Sequence, residues 1–259
     1  MRFTKMQAYG NDFVVFGTPA STVLPKVELI KEICDRHYGI GADCAVFIQK
    51  SKKYDYFMHV YNPDGFEAEI CGNALRCSVG YVLNNGYFTK KQFTVETLSG
   101  PRSIVADCNK IITEIGKARI IEKGNLHLSG ITLPYVFVDL GNPHCVVFIN
   151  SITDDEFCCF GKLIENHPNF PNGTNVEFVS FINNDTAIMR VWERGIGETL
   201  SCTTGSCACV AAGIELGLCE KNVSVQQAGG IIKVEARNCG NIFVTGECKT
   251  VFKGTFKNI

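Results

Sequence analysis

The sequence predicts an α+β protein made of two similar halves, on three observations. Strand-like runs dominate, only three segments carry helical periodicity, and the chain repeats itself at an offset of about 131 residues. In the first half, residues 13–16, 54–61 and 93–97 are rich in Val, Phe and Tyr and bounded by turn formers, which reads as strands. In the second half the same holds for 135–140, 145–149, 176–181, 188–192 and 242–245.

The helical candidates are equally sparse. Residues 27–37 place Val27, Leu29, Ile30 and Ile33 at helical spacing and end before Gly39. Residues 73–83 run into Asn84-Asn85-Gly86, and 205–216 stop at Gly217. The repeat supplies the organisation. Gly10-Asn11-Asp12-Phe13 returns as Gly141-Asn142-Pro143-His144, and Cys71, opening C-G-N-A, is matched by Cys202, opening C-T-T-G (202 − 71 = 131). Phe93-Thr94-Val95 parallels Val223-Ser224-Val225 at nearly the same offset. The reading is a duplicated domain, with halves at 1–118 and 119–249. In a two-fold pseudo-symmetric pair, Cys71 and Cys202 would face each other across the cleft between the halves.

Composition narrows the partner. At 259 residues with 46% hydrophobic and 20% charged residues, the chain is an ordinary globular protein with a sizeable core. A net charge of −1 argues against nucleic acid or an anionic membrane and leaves a small molecule or a protein. The opening Met1-Arg2-Phe3-Thr4-Lys5-Met6 has no apolar signal core and no run reaches membrane-span length, so a cytoplasmic location is expected. A homodimer is left open.

Fourteen cysteines first suggest a disulfide framework, but a chain of this length with no export signal does not need one. No C-x-x-C occurs and the five histidines are scattered, so no metal site is expected. Most of these thiols, Cys34 and Cys145 among them, read as small buried hydrophobes. Cys77, Cys207 and Cys209 fall inside the helical runs and read the same way. Cys71 and Cys202, taken singly, read equally well as packing or as working thiols.

Taken together they suggest chemistry. Each immediately precedes a predicted helix, where unpaired N–H groups and the helix dipole favour an anion and lower a thiol pKa. Two such helix starts aimed at one ligand make a carboxylate clamp. A thiolate on one face of a Cα–H and a thiol on the other can invert a stereocentre. Neither Gly-containing turn is a phosphate-cradling loop, so a nucleotide site is not expected.

With those residues in view, the chain resembles the diaminopimelate epimerase family over nearly its whole length. The blocks that carry the likeness are K-M-Q-A-Y-G-N-D-F (5–13), D-R-H-Y-G-I-G-A-D (35–43), Y-N-P-D-G (61–65) and E-I-C-G-N-A-L-R-C (69–77). In the second half they are G-N-P-H-C (141–145), H-P-N-F-P (167–171), N-V-E-F (175–178), R-V-W-E-R-G-I-G-E-T (190–199) and the block around Cys202. The resemblance implies cofactor-independent interconversion of the L,L and meso forms of 2,6-diaminopimelate, a step in lysine and peptidoglycan precursor biosynthesis.

It also implies site residues. Cys71 and Cys202 would be the reacting pair, with the α-carboxylate held by N–H groups of Gly72, Asn73, Thr203 and Thr204. Asn11, Asn62, Asn142, Asn175 and Arg194 match substrate-binding positions, and His144 and Glu193 match a pair that tunes or orients the reacting groups. On their own, Asn62 in Y-N-P-D-G and Asn142 before Pro143 read as turn residues. The implied fold is two pseudo-symmetric domains, each an antiparallel barrel-like sheet around a central helix, with the active site in the inter-domain cleft. The segment 250–259 would return to the first domain.

Five positions depart from the family pattern. Ala74 and Thr203 stand where glycine is common, Cys44 stands where some members carry a substrate-contacting glutamine, and Ala8-Tyr9 stand where Gly-Leu is more usual before G-N-D. Thr203 is therefore expected either to crowd the site or to need a different backbone dihedral. The departures at Thr203 and Cys44 motivate the alternative function, racemisation of another amino acid on the same scaffold.

Overall fold

The structure is a computed structural model, which describes residues 1–107, 110–128, 130–238 and 240–257. It divides into two compact units, Met1–Glu114 with Thr245–Ile259, and Ile115–Val244. The first contains β1 (Arg2–Ala8), β2 (Asn11–Gly17), α1 (Val27–Cys34), β3 (Cys44–Gln49), β4 (Tyr56–Tyr61), β5 (Glu67–Ala68), α2 (Gly72–Asn84), β6 (Gln92–Glu96) and β7 (Arg102–Asp107). Then follow β8 (Lys110–Lys117), β9 (Arg119–Leu128), β10 (Ile131–Asp139), β11 (Pro143–Phe148), α3 (Asp154–Glu165), β12 (Asn175–Asn183), β13 (Thr186–Glu193) and β14 (Gly197–Thr199). The chain ends with α4 (Thr203–Glu215), β15 (Asn222–Gln227), β16 (Gly230–Ala236), β17 (Asn241–Gly246) and β18 (Lys249–Thr255).

Each unit is a mixed, mainly antiparallel sheet around one helix. In the first, α2 is buried continuously from Gly72 to Val82 and packs against β1, β2, β3, β4 and β18. In the second, α4 is buried from Thr203 to Val210 and packs against β10, β11, β12, β13 and β16. A helix buried on every side gives no face to water, so a sheet has to surround it. That explains the small-residue composition of both helices, and why Cys77, Cys207 and Cys209 are fully buried.

Strand β2 of the first unit is buried on both faces. Phe13 and Val15 of β2 join the core around α2, while Val14 and Phe16 pack with Ile30 and Ile33 of α1. An uninterrupted apolar run rather than an alternating one is the signature of such a strand. β18 pairs antiparallel with β1, Arg2 opposite Thr255, which places the predicted returning segment on that strand up to Thr255; its residues 258–259 lie outside the described ones.

The repeat runs through the hydrogen-bond ladder. The parallel pair β2–β3 aligns Phe13 with Cys44, and β11–β12 aligns His144 with Asn175, both 131 later. Ala45 opposite Tyr61 becomes Val176 opposite Trp192, and Val60 opposite Ala68 becomes Val191 opposite Thr199.

Two sequence expectations need correction. The helix predicted over 27–37 ends at Cys34, because Asp35 takes extended backbone and its carboxylate accepts from the N–H groups of His37 and Tyr38, each at 2.7 Å. That local bond competes with a further helical turn. Helix α3 is an addition. Thr153 and Glu156 form a capping box at its start, and its buried stripe is Phe157, Gly161 and Ile164. Among the described residues, no helix is long and apolar enough to cross a membrane.

Candidate active site

Cys71 is the N-cap of α2. Its backbone is extended, with φ −140° and ψ 114°, and its Sγ accepts from the Ala74 N–H at 3.4 Å. The first-turn N–H groups of Gly72 and Asn73 lie directly after it, where an anion is favoured. Asn73 donates from Nδ2 to Asn11 Oδ1 at 3.2 Å, and the Cys71 thiol approaches the same oxygen at 4.0 Å. Asn11 in turn donates to Asp43 Oδ2 at 2.9 Å. Behind them Arg76, fully buried, donates from Nη2 to Asn73 Oδ1 and stacks over the Tyr9 ring. Asn62 serves the turn closed by Gly65 N–H to its carbonyl at 2.9 Å, and its Oδ1 lies 3.7 Å from Cys44 Sγ. The two residues that drew separate attention in the sequence are thus neighbours.

Cys202 is the N-cap of α4 in the same conformation, φ −119° and ψ 115°, and its Sγ accepts from the Gly205 N–H at 3.3 Å. Its own N–H donates to Gln227 Oε1 at 2.8 Å. Thr204 Oγ1 lies 3.5 Å from Sγ and accepts from Asn142 Nδ2 at 3.3 Å. Asn142 Oδ1 is 3.1 Å from His144 Nε2, and His144 Nδ1 is 2.7 Å from Glu177 Oε1. Glu193 accepts from the Thr199 hydroxyl at 2.5 Å, and the carboxylate on the His144 imidazole is Glu177.

The remaining predicted residues of this unit shape one loop. Asn175 donates to the Pro143 carbonyl at 2.9 Å and accepts from the Arg194 N–H at 2.9 Å. Glu165 of α3 accepts from Trp192 Nε1 and from Gly195 N–H, both at 2.7 Å, on either side of Arg194. The Arg194 side chain is exposed, with a 3.3 Å bond to the Asn172 carbonyl and no carboxylate partner among the described residues.

Thr203 raises no backbone difficulty. It opens α4 as Gly72 opens α2, and Tyr9 is the one non-glycine with positive φ among the described residues. The expected change of dihedral is therefore absent.

The expected lowering of both thiol pKa values needs a correction at Cys202. Burial raises it well above the ordinary thiol range, helped by the charges of Glu193 and Glu177. The bonds from Thr204 and Gly205 pull the other way but do not prevail. Desolvation of a thiolate outweighs one helix start when two carboxylates are close.

At the 131-residue offset the two half-sites share a plan. Cys71, Gly72, Asn73 and Asn11 correspond to Cys202, Thr203, Thr204 and Asn142, and in each an asparagine from the β-hairpin holds the second residue of the helix. They differ in the charge behind. Arg76 backs Asn73 in the first unit, whereas the second has His144 and Glu177 at the places of Phe13 and Val46. Sequence reading missed Arg76, Glu177 and Gln227. The signal for Glu177 was a carboxylate inside the apolar run 176–179, opposite a valine in the repeat.

Known proteins agree on the family. The diaminopimelate epimerase family model matches residues 3–121 and 136–251. A diaminopimelate epimerase of Carboxydothermus hydrogenoformans is 39% identical, with 99% of each chain covered. One of Desulforudis audaxviator is 38% identical, with 98% of each covered. Among solved structures, a hydroxyproline epimerase from Agrobacterium vitis superposes with a TM-score of 0.78 at 15% identity, covering 98% of this chain and 91% of the other. A phenazine biosynthesis protein of Bacillus anthracis gives 0.74 at 17%, covering 98% of each, and these two likenesses speak for the fold alone. With both halves matched and relatives covered end to end, the chain belongs to the diaminopimelate epimerase family.

Proposed function

We propose that the protein epimerises L,L-2,6-diaminopimelate to the meso form without a cofactor, using Cys71 and Cys202 as paired acid and base. The observation that carries this reading is that both cysteines cap equivalent helices with the same backbone and the same Sγ-to-N–H bond. In the direction where Cys202 gives the proton, Cys71 takes the α-hydrogen as a thiolate. The carbanionic transition state is stabilised by first-turn N–H groups of Gly72, Asn73, Thr203 and Thr204 around the α-carboxylate. Arg194 presents its guanidinium to solvent and suits the distal carboxylate, which it can grip through two parallel N–H bonds. Asn11 and Asn142 hold the helix starts in place, and Asn175 fixes the Arg194 loop. Asn62 and Glu193 lie at the same repeat position and are assigned to the substrate and to Cys202 respectively.

The test is deuterium incorporation at the α-carbon in deuterium oxide under reducing conditions. The protein is expected to exchange the hydrogen of both stereoisomers of diaminopimelate and to lose net epimerisation on either Cys71→Ser or Cys202→Ser. Absence of exchange with both isomers would refute the activity. Retention of full epimerisation by either variant would refute the two-thiol mechanism.

A further inference from the structure

One face of α2 carries a second cysteine pair, apart from the helix-capping thiols. Cys77 lies fully buried in the second turn of α2, and Cys248, half-buried, sits in the link between β17 and β18. The Cys77 thiol hydrogen-bonds to Cys248 Sγ, and Cys248 Sγ lies 3.3 Å from the Arg76 carbonyl, to which its own S–H donates. The same sulfur fills the notch left by Gly80, where a Cβ would lie 2.6 Å from it. We propose that Cys77 and Cys248 are a peroxide-responsive thiol pair whose disulfide staples the returning C-terminal segment to α2. This stands independently of the reading of Cys71 and Cys202.

The contact is built into the helix. Glycine is a poor residue for a helix interior, yet any side chain at Gly80 would displace Cys248. At the 131-residue offset the second unit has Ala208 and Ala211 at the places of Cys77 and Gly80, and Lys117 lies 131 before Cys248. The pair therefore belongs to the first unit alone. The link around Cys248 also covers the support of the first half-site. Glu247 N–H donates to the Tyr9 hydroxyl at 3.2 Å, and a Cβ at Gly246 would lie 2.9 Å from Arg76 Nε. From there the chain runs on as β18, whose side chains from Lys249 to Lys253 are all exposed. A strand with so little buried surface opens locally at low cost, and a covalent tie at its start resists that opening.

The two thiols divide the work. The hydrogen bond from Cys77 and the Arg76 guanidinium bring Cys248 below the ordinary thiol value, against burial and the charge of Glu247. Burial pushes Cys77 well above that value, and donating to Cys248 pushes it further. Cys248, the more accessible of the two, is therefore the attacking thiolate. Its sulfur takes one oxygen of hydrogen peroxide, the O–O bond breaks, and hydroxide leaves to become water with a proton from solvent. The Cys77 sulfur then attacks the sulfenic sulfur of Cys248. The S–S bond forms, the S–O bond breaks, and the departing hydroxide takes the Cys77 proton. Two thiols lose two electrons and one peroxide becomes two waters. A dithiol reductant reverses the link and itself becomes a disulfide. Cys219 is the internal control. It too is half-buried, with its S–H 3.7 Å from the Val210 carbonyl of α4, but burial pushes it up to about 11.

The experiment uses the full-length chain carrying Cys71→Ala, which excludes a Cys71–Cys202 link. After hydrogen peroxide, thiol blocking and digestion without reductant, mass spectrometry is expected to find the peptides of Cys77 and Cys248 joined. The oxidised protein should melt about 5–15 °C above the reduced one, because the link closes a span of 171 residues (248 − 77), and dithiothreitol should remove the shift. Adding Cys248→Ser should abolish both the link and the shift. With Cys77→Ala in its place, no resolving thiol remains, and dimedone should tag Cys248 as a stranded sulfenic acid at least about tenfold more than Cys219. The proposal is overturned if peroxide leaves the two peptides unjoined, or if the joined protein melts with the reduced one. An equal shift in the Cys248→Ser protein, or dimedone preferring Cys219, overturns it as well. If Cys248→Ser does not fold, peptide mapping and the melting shift of the Cys71→Ala protein decide by the same criteria.

Discussion

Gly205→Ala tests how tightly the second half-site is built. In an α-helix, alanine normally improves on glycine by about 0.5–1 kcal/mol. Here the added Cβ would meet Glu177 Oε1 at 2.7 Å and Glu177 Cγ at 3.2 Å. Relief requires the carboxylate to retreat by about half an ångström, taking its 2.7 Å bond to His144 past the ~3.2 Å limit of a good hydrogen bond. Weakening a buried, charge-assisted bond costs about 1.5–3 kcal/mol, which exceeds the helical gain and leaves a net loss of about 1–2 kcal/mol. That corresponds to a melting temperature lower by about 2–8 °C, read by circular dichroism, together with reduced kcat. The control is Ala74→Gly at the equivalent position of the first unit, where Val46 stands in the place of Glu177 and the methyl already fits. It should cost about 1 kcal/mol, as an ordinary alanine-to-glycine change in a helix does. A Gly205→Ala protein that melts at or above the parent temperature with parental kcat would refute the packing argument.

Three further outcomes follow from the site. Arg194→Ala should raise KM for diaminopimelate about 10–100-fold with a smaller effect on kcat, the loss of a charge-assisted pair, and an unchanged KM would remove Arg194 from the substrate site. Because the proposed chemistry brings both thiols to one carbon, diamide should oxidise them to a Cys71–Cys202 disulfide, itself becoming the hydrazine. Activity should vanish and return with a thiol reductant, and peptide mapping that shows no such link in inactivated protein counts against their shared carbon. Burial holds Cys145, Cys202 and Cys209 well above the ordinary thiol value of 9.0, so these groups keep their protons in the folded chain where the unfolded chain loses them. Their stabilisation is complete below about pH 9 and is lost as the pH rises through the folded values, by about 1.4 kcal/mol per unit for each thiol. A urea midpoint that stays level from pH 8 to about pH 10.5 would contradict this.

What the sequence disclosed and what it withheld divide along the range of the physics involved. The two central helices were readable because their signals are local: small residues inside, a cysteine cap before, and Gly or Asn after. The repeat was readable because an offset is a property of the chain, and it reached the half-sites before any geometry did. Helix α3 was not readable because Gly161 and the Cys158-Cys159 pair weaken its helical pattern. That glycine answers to a distant residue, since a Cβ there would meet the Trp192 ring at 2.7 Å. The thiol at Cys202 fails in the same way. Its helix start is local and argues for a low pKa, but its burial and the carboxylates of Glu177 and Glu193 arrive from β12 and β13 and reverse the sign. The pseudo-symmetry then sharpens the point. Two cysteines with the same local sequence logic and the same cap geometry are backed by an arginine in one half and by a histidine–carboxylate pair in the other. Duplication supplies two equal thiols, and substitutions on neighbouring strands make them unequal. An enzyme that must give a proton from one side and take one from the other needs that inequality, so the residues that break the repeat are where differences between the two proton transfers should be sought.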